Sequence, residues 1–160
     1  MLLLLVQSVV TAQKEGIGHV KKELGKVLSG LNGADHRSIR WLIPALSGQY
    51  FFNHDDGVHG AELWQSDMTP FGTRLVKDIA EGAKDGYPHH LCEHDRRIFF
   101  AADDGVHGEE LWVTDGTEAG TYLAVDVNPG AAASHVSDTT ACGGFLFFGA
   151  LSNEDGFEMR

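Results

Sequence analysis

The chain has 160 residues, with 23 Asp and Glu against 12 Lys and Arg, so its formal net charge is −11. This acidic balance argues against nucleic-acid binding, because phosphate contacts need a basic surface. Residues 1–40 hold six basic and three acidic residues and carry +3, whereas the remaining 120 residues carry −14. The split indicates that the beginning of the chain is a separate structural unit.

Residues 1–39 are predicted to form a helical or irregular leader. Residues 1–12 are apolar and end near small residues, but they lack the basic start of a secretory signal. A cleaved signal peptide remains open, and the alternative is an apolar helix start or a wrongly assigned gene start. Apolar residues at helical spacing predict a marginal amphipathic helix over residues 14–31, which three glycines weaken, so an irregular leader is the alternative. No segment has the length of a membrane span.

Three similar segments follow, at residues 40–85, 86–133 and 134–160. The first contains Phe51-Phe52, an Asp-Asp-Gly-Val-His-Gly loop at 55–60, Glu-Leu-Trp at 62–64 and Gly72-Thr73. Each of these landmarks returns 48 residues later in the second segment without a gap. The third segment repeats the Phe-Phe pair at 147–148, but Arg160 stands where the tryptophan belongs. The sequence therefore predicts a tandem repeat.

Within the second segment, β-prone runs and Gly/Asp turns predict four strands, at residues 91–93, 97–102, 109–114 and 121–127. The second of these strands is apolar on both faces in every segment, so it must be covered on both sides. Stacked sheets would provide that cover. The predicted fold class is all-β, with four-stranded antiparallel blades in a partial β-propeller of about two and a half blades. A linear stack of small sheets is the structural alternative.

Known propellers close with roughly four to eight blades. The sequence is therefore interpreted as a fragment or a truncated product, whose ring would be completed by further blades or by other copies of the chain.

The motif Glu110-Leu-Trp-Val-Thr-Asp-Gly-Thr-Glu-Ala-Gly-Thr121 resembles the signature of the ELWxxDGT repeat proteins, which are large bacterial surface or secreted proteins. The corresponding run at residues 62–73 departs from it at Met68, where the family has glycine. The resemblance covers about residues 48–160. It implies a β-propeller fold and an extracellular or cell-surface location rather than a defined activity.

Acidic residues on or just after the Gly-containing loops are the best metal candidates. Their carboxylate oxygens suit Ca²⁺, although the spacing is not that of an EF-hand. Solvated turns are the simpler interpretation, and no other cofactor is expected. The candidate Ca²⁺ ligands are Asp55, Asp56, Glu62, Asp103, Asp104 and Glu110.

The remaining motifs favour structural roles. Trp64 and Trp112 recur once per segment, which favours packing between blades over a sugar-stacking platform. Asp67 and Asp115 precede tight turns that they are expected to cap. The histidines at 89, 90 and 94 form a local cluster, but the spacing names no further partner for a Zn²⁺ site. The cysteines at 92 and 142 are expected to be free thiols rather than a disulfide.

No nucleophile elbow, phosphate loop or assignable pair of catalytic carboxylates occurs, so no catalytic residue is named. The predicted function is a non-enzymatic structural, adhesion or protein-interaction scaffold of a bacterial secreted or surface protein. Its expected partners are proteins or glycans at a cell surface. The alternative is a carbohydrate-binding or hydrolytic propeller whose site lies in blades outside this sequence.

Overall fold

The computed structural model describes residues 16–30, 39–45, 48–153 and 156–159. In that part of the chain, one helix precedes eleven strands, which form three antiparallel sheets. The predicted all-β class is therefore confirmed. The signal sequence considered for residues 1–12 lies outside the described residues.

Each sheet is a simple meander, because its strands pair in chain order. The first sheet contains β1 Arg40–Pro44, β2 Tyr50–Asp55, β3 Ala61–Ser66 and β4 Arg74–Lys77. The second contains β5 His89–His94, β6 Arg97–Asp103, β7 Glu109–Thr114 and β8 Tyr122–Val125. The third contains β9 Ser137–Cys142, β10 Phe145–Ser152 and β11 Gly156–Met159.

The central hairpins of the first two sheets have the same register. Phe52 pairs with Trp64 in the first sheet, and Phe100 pairs with Trp112 in the second. Strands β3 and β7 have six residues each and begin 48 residues apart, at 61 and 109. Equal pairing places chemically equivalent side chains on equivalent faces of the two sheets.

The sheets stack face to face through apolar side chains. The first interface joins residues of the first sheet to residues of the second, namely Phe51, Leu63 and Val76 to Ile98, Phe100 and Trp112. The second joins Ala101 and Leu111 of the second sheet to Val136, Phe148 and Ala150. Successive side chains of a strand point to opposite faces. Adjacent phenylalanines such as Phe51 and Phe52 therefore belong to two different interfaces.

Each sheet has two faces, named here the leading face and the trailing face. The leading face carries Phe52 and Trp64 in the first sheet, Phe100 and Trp112 in the second, and Phe148 and Ala150 in the third. The trailing face carries Phe51 and Leu63, then Ala101 and Leu111, and in the third sheet Phe147 and Leu151. Both faces of the second sheet are covered, as its two interfaces require. The trailing face of the third sheet is open, with Phe147 39% exposed, so the expected cover on both sides holds for β2 and β6 but not for β10.

Helix α1 covers residues 16–30, where the sequence left a helix and an irregular leader open. Leu24 and Leu28 are fully buried and pack on the leading face of the first sheet, against Phe52 and Trp64. The solvent-facing side carries a Glu23–Lys26 ion pair. Within the described ranges, no helix is long and apolar enough to cross a membrane.

Candidate functional site

Glu62 is fully buried and binds the segment that connects the first sheet to the second. Its carboxylate accepts hydrogen bonds from the backbone N–H groups of Ile79 at 3.2 Å, Ala80 at 3.1 Å and Gly86 at 3.0 Å. A Cβ added at Gly86 would come within 2.6 Å of the Glu62 carboxylate. Glu62 therefore holds the turn between two sheets.

Glu110 has the same place in the second sheet and is also fully buried. Its Oε2 accepts hydrogen bonds from the Val127 backbone N–H at 2.9 Å and from the Ser134 hydroxyl at 2.6 Å. Ser134 also donates its backbone N–H to the carbonyl of Glu109 at 2.9 Å. The two Glu-Leu-Trp motifs thus tie each sheet to the connection that leads into the next.

Burial in these positions raises both carboxyl pKa values. Removal from water disfavours the charged form and raises the pKa of Glu62 from 4.5 to about 7, against the opposing effect of its backbone hydrogen bonds. Burial likewise raises the pKa of Glu110, while the hydrogen bond from Ser134 acts in the other direction.

The paired aspartates lie on the loops between the second and third strands of the first two sheets. Asp55 accepts a hydrogen bond from the Gly57 N–H at 2.7 Å, and Asp56 accepts them from the N–H groups of Val58 and His59, both at 2.9 Å. The His59 ring also contacts Asp56, with Nδ1 2.8 Å from Oδ2. This side-chain hydrogen bond raises the pKa of His59.

The loop of the second sheet reproduces these contacts. Asp103 accepts from the Gly105 N–H at 2.7 Å, and Asp104 accepts from the N–H groups of Val106 and His107 at 2.9 and 2.8 Å. His107 Nδ1 lies 2.7 Å from Asp104 Oδ2, and this contact raises the pKa of His107.

The six candidate Ca²⁺ ligands are therefore divided between two environments. The four aspartates cap their own loops, and the two glutamates are buried under the connections between sheets. Among the described residues, no three His, Cys, Asp or Glu side chains are placed to hold a metal ion. Ca²⁺ binding at the loops stays a prediction, which calorimetric titration of Ca²⁺ into the protein would test.

Trp112 packs between the first two sheets, as expected, whereas Trp64 packs under helix α1 rather than between sheets. The capped turns have the role expected of them. Trp64 is 8% exposed and Trp112 is 6% exposed, so neither ring offers a free face to a sugar. Asp115 Oδ1 accepts hydrogen bonds from both the backbone N–H and the hydroxyl of Thr117, at 2.9 and 2.7 Å. Asp67 makes the same two bonds with Thr69.

Met68 replaces the glycine found at this turn position in the second sheet, but it keeps the backbone conformation of the turn. Met68 has a φ of 71°, and Gly116 at the same turn position has a φ of 90°. Met68 therefore adopts the left-handed conformation that glycine adopts without steric cost.

A different set of residues forms the best candidate for ligand contact. The first strand of every sheet contains a β-bulge at the same place relative to the second strand. The first bulged residue is Trp41 in β1, His90 in β5 and Asp138 in β9, with φ values of 49°, 52° and 49°. Positive φ in such non-glycine residues costs on the order of 1 kcal/mol and is concentrated at functional sites.

The bulges lie next to one another, since β1 contacts β5 and β5 contacts β9. The Trp41 ring centroid is 4.8 Å from that of His90 and 5.8 Å from that of His89. The Tyr87 ring centroid is 6.1 Å from that of His89, and the Tyr87 carbonyl accepts a hydrogen bond from His89 Nδ1 at 2.9 Å. His89 Nε2 is 3.6 Å from a carboxylate oxygen of Glu109. These residues are hereafter the inner-strand cluster.

The inner-strand cluster combines flat apolar faces with hydrogen-bonding groups. Trp41 is 43% exposed and Tyr87 is 50% exposed, so both rings are accessible. Burial and the neighbouring imidazole lower the pKa of His90, while Asp138 and Glu109 oppose this change. A neutral imidazole can donate and accept hydrogen bonds at once. The cluster can therefore stack on a ring and bind hydroxyl groups.

Sequence reasoning found the histidines of this cluster but not Trp41. At a constant offset of 48 residues, His90 aligns with Leu42. The reason is that the paired residues Arg40 and Asn53 are 13 positions apart, whereas the equivalent pair, His89 and Ala101, is 12 positions apart. A comparison of strand positions that allowed this one-residue shift would have aligned Trp41, His90 and Asp138.

Both cysteines are free thiols, as expected, with Cys142 exposed and Cys92 half-buried. No protein-family model matches the chain, and no curated protein matches it significantly.

Proposed function

We propose that this chain is a non-enzymatic module of stacked blades that acts as a structural, adhesion or protein-interaction scaffold. One observation carries the proposal: the polar side chains of the recurring motifs bind their own backbone. Glu62 and Glu110 are fully buried under connections, and Asp115 caps its own turn. A catalytic carboxylate must reach its substrate, whereas these groups have no contact with solvent or face a turn that they stabilise.

The contacts between strands favour a partial β-propeller with a 48-residue period over a linear stack. The first strands of successive sheets touch one another, and the last strands do not pack as closely. Such convergence along one edge is what a radial arrangement of blades requires. Relation to the ELWxxDGT repeat proteins is part of the same proposal, since a Glu that anchors each connection is needed once in every blade.

Modular stacking can be tested by inserting a second copy of residues 86–133 after residue 133. The extended chain should remain folded, and its unfolding midpoint should rise because one further pair of faces is buried. An insert of the same composition in scrambled order is the control and should lower the midpoint. Equal behaviour of the two inserts would argue against stacked blades.

An extracellular or cell-surface location in a bacterium is proposed from the same resemblance. The exposed thiol of Cys142 provides a direct test. In intact cells that produce the protein, a membrane-impermeant maleimide should label the wild-type chain and label Cys142→Ser much less. Labelling that appears only after lysis would contradict a surface location.

Carbohydrate binding is the second candidate function, and the inner-strand cluster favours it. Exposed aromatic faces stack on sugar rings, and the adjacent imidazoles and carboxylates can bind hydroxyl groups. A glycan array should then give signals that Trp41→Ala removes, while Val58→Ala, which shortens an exposed loop residue, leaves them unchanged. An array without signal for the wild-type protein would exclude this candidate for the glycans displayed.

A further inference from the structure

The two faces of a sheet form a complementary pair that the chain uses twice. The trailing face of the first sheet receives the leading face of the second, where Phe51 and Leu63 pack with Phe100 and Trp112. The trailing face of the second sheet receives the leading face of the third through a similar apolar contact. A trailing face is therefore shaped to hold a leading face.

The same two kinds of face remain at the two ends of the stack. At one end, the leading face of the first sheet presents Phe52 and Trp64, which are buried under helix α1. At the other end, no described residue covers the trailing face of the third sheet. Its exposed apolar side chains are Phe145, Phe147, Leu151, Phe157 and Met159, which are between 36% and 68% exposed.

Helix α1 covers the leading face through three apolar side chains of the described range, Val20, Leu24 and Leu28. Its fully buried side chains in the described range are Leu24 and Leu28. Between the helix and the sheet, a cleft of ≈ 380 Å³ is lined by Ile17, Val20, Leu42 and Tyr50, among others. A helix of this length with internal glycines is marginal without tertiary packing. The helix is therefore less firmly held than the strands beneath it.

We propose that helix α1 is a displaceable cap and that the surface beneath it binds a second copy of this chain. While the helix is docked, the leading face of the first sheet is closed and the chain is monomeric. When the helix leaves, this face receives the trailing face of the third sheet of another copy. The contact is head-to-tail, so repeated addition gives rings or filaments rather than a closed two-fold dimer.

The contact between copies follows from the observed stacking of the three sheets, whether or not the module is an enzyme. Charge acts against the association, because each copy carries a net charge of −11. Screening by salt should therefore strengthen it, as should the general effect of salt on apolar contacts.

The test is sedimentation velocity of the double variant Leu24→Gln/Leu28→Gln, measured over a range of protein concentrations. Wild-type protein should remain monomeric. In the variant, the weight-average mass should rise with concentration to about twice the monomer mass or more, and further with added salt. The milder variant Leu28→Ala should behave in the same way to a smaller extent, and it covers the case in which the double variant does not fold.

Matched variants distinguish a specific contact from general exposure of apolar surface. Adding Phe147→Lys and Leu151→Lys to the uncapped variant should restore the monomer, because it removes the opposite half of the contact. Adding Val58→Lys, at an exposed loop site, should not. Association of the wild-type chain with its cap in place would overturn the proposal. So would folded uncapped variants that stay monomeric, or association that persists after both lysines are introduced.

Discussion

Glu62 and Glu110 lie in the interior of a β-sheet stack, where a carboxylate is costly to bury. Their hydrogen bonds offset part of this cost, because backbone N–H groups of the connecting segments would otherwise be buried without acceptors. The burial of each glutamate is therefore offset by the donors that it satisfies. These are three backbone N–H groups for Glu62, and the Val127 N–H and the Ser134 hydroxyl for Glu110. This compensation explains why an ionisable residue occupies the centre of a motif that builds the fold.

The raised pKa of Glu62 predicts a pH dependence of stability. The Glu62 carboxyl has a pKa of 4.5 in the unfolded chain and about 7 in the folded chain. Its contribution to the free energy of unfolding is therefore fully present below pH 4.5 and is lost as the pH rises to about 7. The loss should approach ~3 kcal/mol. Glu62→Gln cannot ionise, so its free energy of unfolding relative to wild type should rise over this range. Urea unfolding of both proteins at a series of pH values measures the difference, and a constant difference would contradict the prediction.

Alanine substitutions at two glycines of one loop should have different costs, because one adds only backbone strain and the other adds steric overlap as well. Gly105 and Gly108 have φ values of 77° and 72°, but a Cβ at Gly105 would meet only open space or a lysine terminus, whereas one at Gly108 would lie 2.8 Å from the Ala133 backbone nitrogen. Gly105→Ala should cost about 1–2 kcal/mol through the left-handed conformation alone. Gly108→Ala should cost roughly 1–3 kcal/mol more, because the connection to the third sheet must move. Equal losses in thermal or urea unfolding would contradict this account.

The sequence identified these acidic and glycine residues as important but could not assign their roles. Carboxylates on Gly-containing loops occur both as Ca²⁺ ligands and as turn caps, since both need oxygen atoms aimed into a tight loop, and turn caps were the simpler interpretation. Whether Glu62 binds a metal ion or the backbone of the connecting segment depends on the path of residues 78–86. No local sequence pattern encodes that path. The same limit applies to Trp41, whose neighbours His89 and His90 come from another sheet.

Strands β6 and β7 were predictable because their signals are local. Each is bounded by Gly/Asp turns, and the residues of β6 are apolar on both faces. The predicted ends therefore agree to within one residue with the observed strands, Arg97–Asp103 and Glu109–Thr114. Strand β5 is longer than predicted because its pairing with β6 continues across the bulge, from His94 back to His89, and no local pattern marks that extension. Strand β8 is shorter than predicted and ends at Val125, since the chain then turns away to donate the Val127 N–H to Glu110.

Helix α1 should contribute to stability through its buried side alone. Leu28→Ala should lower the free energy of unfolding by about 2–4 kcal/mol, because a fully buried leucine loses its contacts and leaves a cavity. Ile17→Ala, at a site that is 39% exposed, should cost less than about 1 kcal/mol. Urea unfolding of the two variants makes the comparison, and similar losses would mean that the helix is not docked through Leu28.

The three sheets differ in how completely they are covered, and this should produce a gradient of local stability along the stack. The second sheet is packed on both faces, whereas the third is packed on one. Hydrogen exchange should therefore be slowest in β6 and β7 and clearly faster in β10 and β11, because local opening exposes less apolar surface at an open end. Exchange followed by mass spectrometry would measure this order. Uniform protection across the three sheets would indicate that the stack opens only as a whole.

The first strands of the three sheets share the same bulged backbone geometry, although their side chains at the bulge differ. Tryptophan, histidine and aspartate occupy the same irregularity at positions 41, 90 and 138, so the conformation does not depend on any one of them. Each position can therefore change its chemistry without rebuilding the strand. For protein engineering, this makes the row of bulges a natural site for diversified libraries, in which new binding specificities could be selected on an unchanged framework.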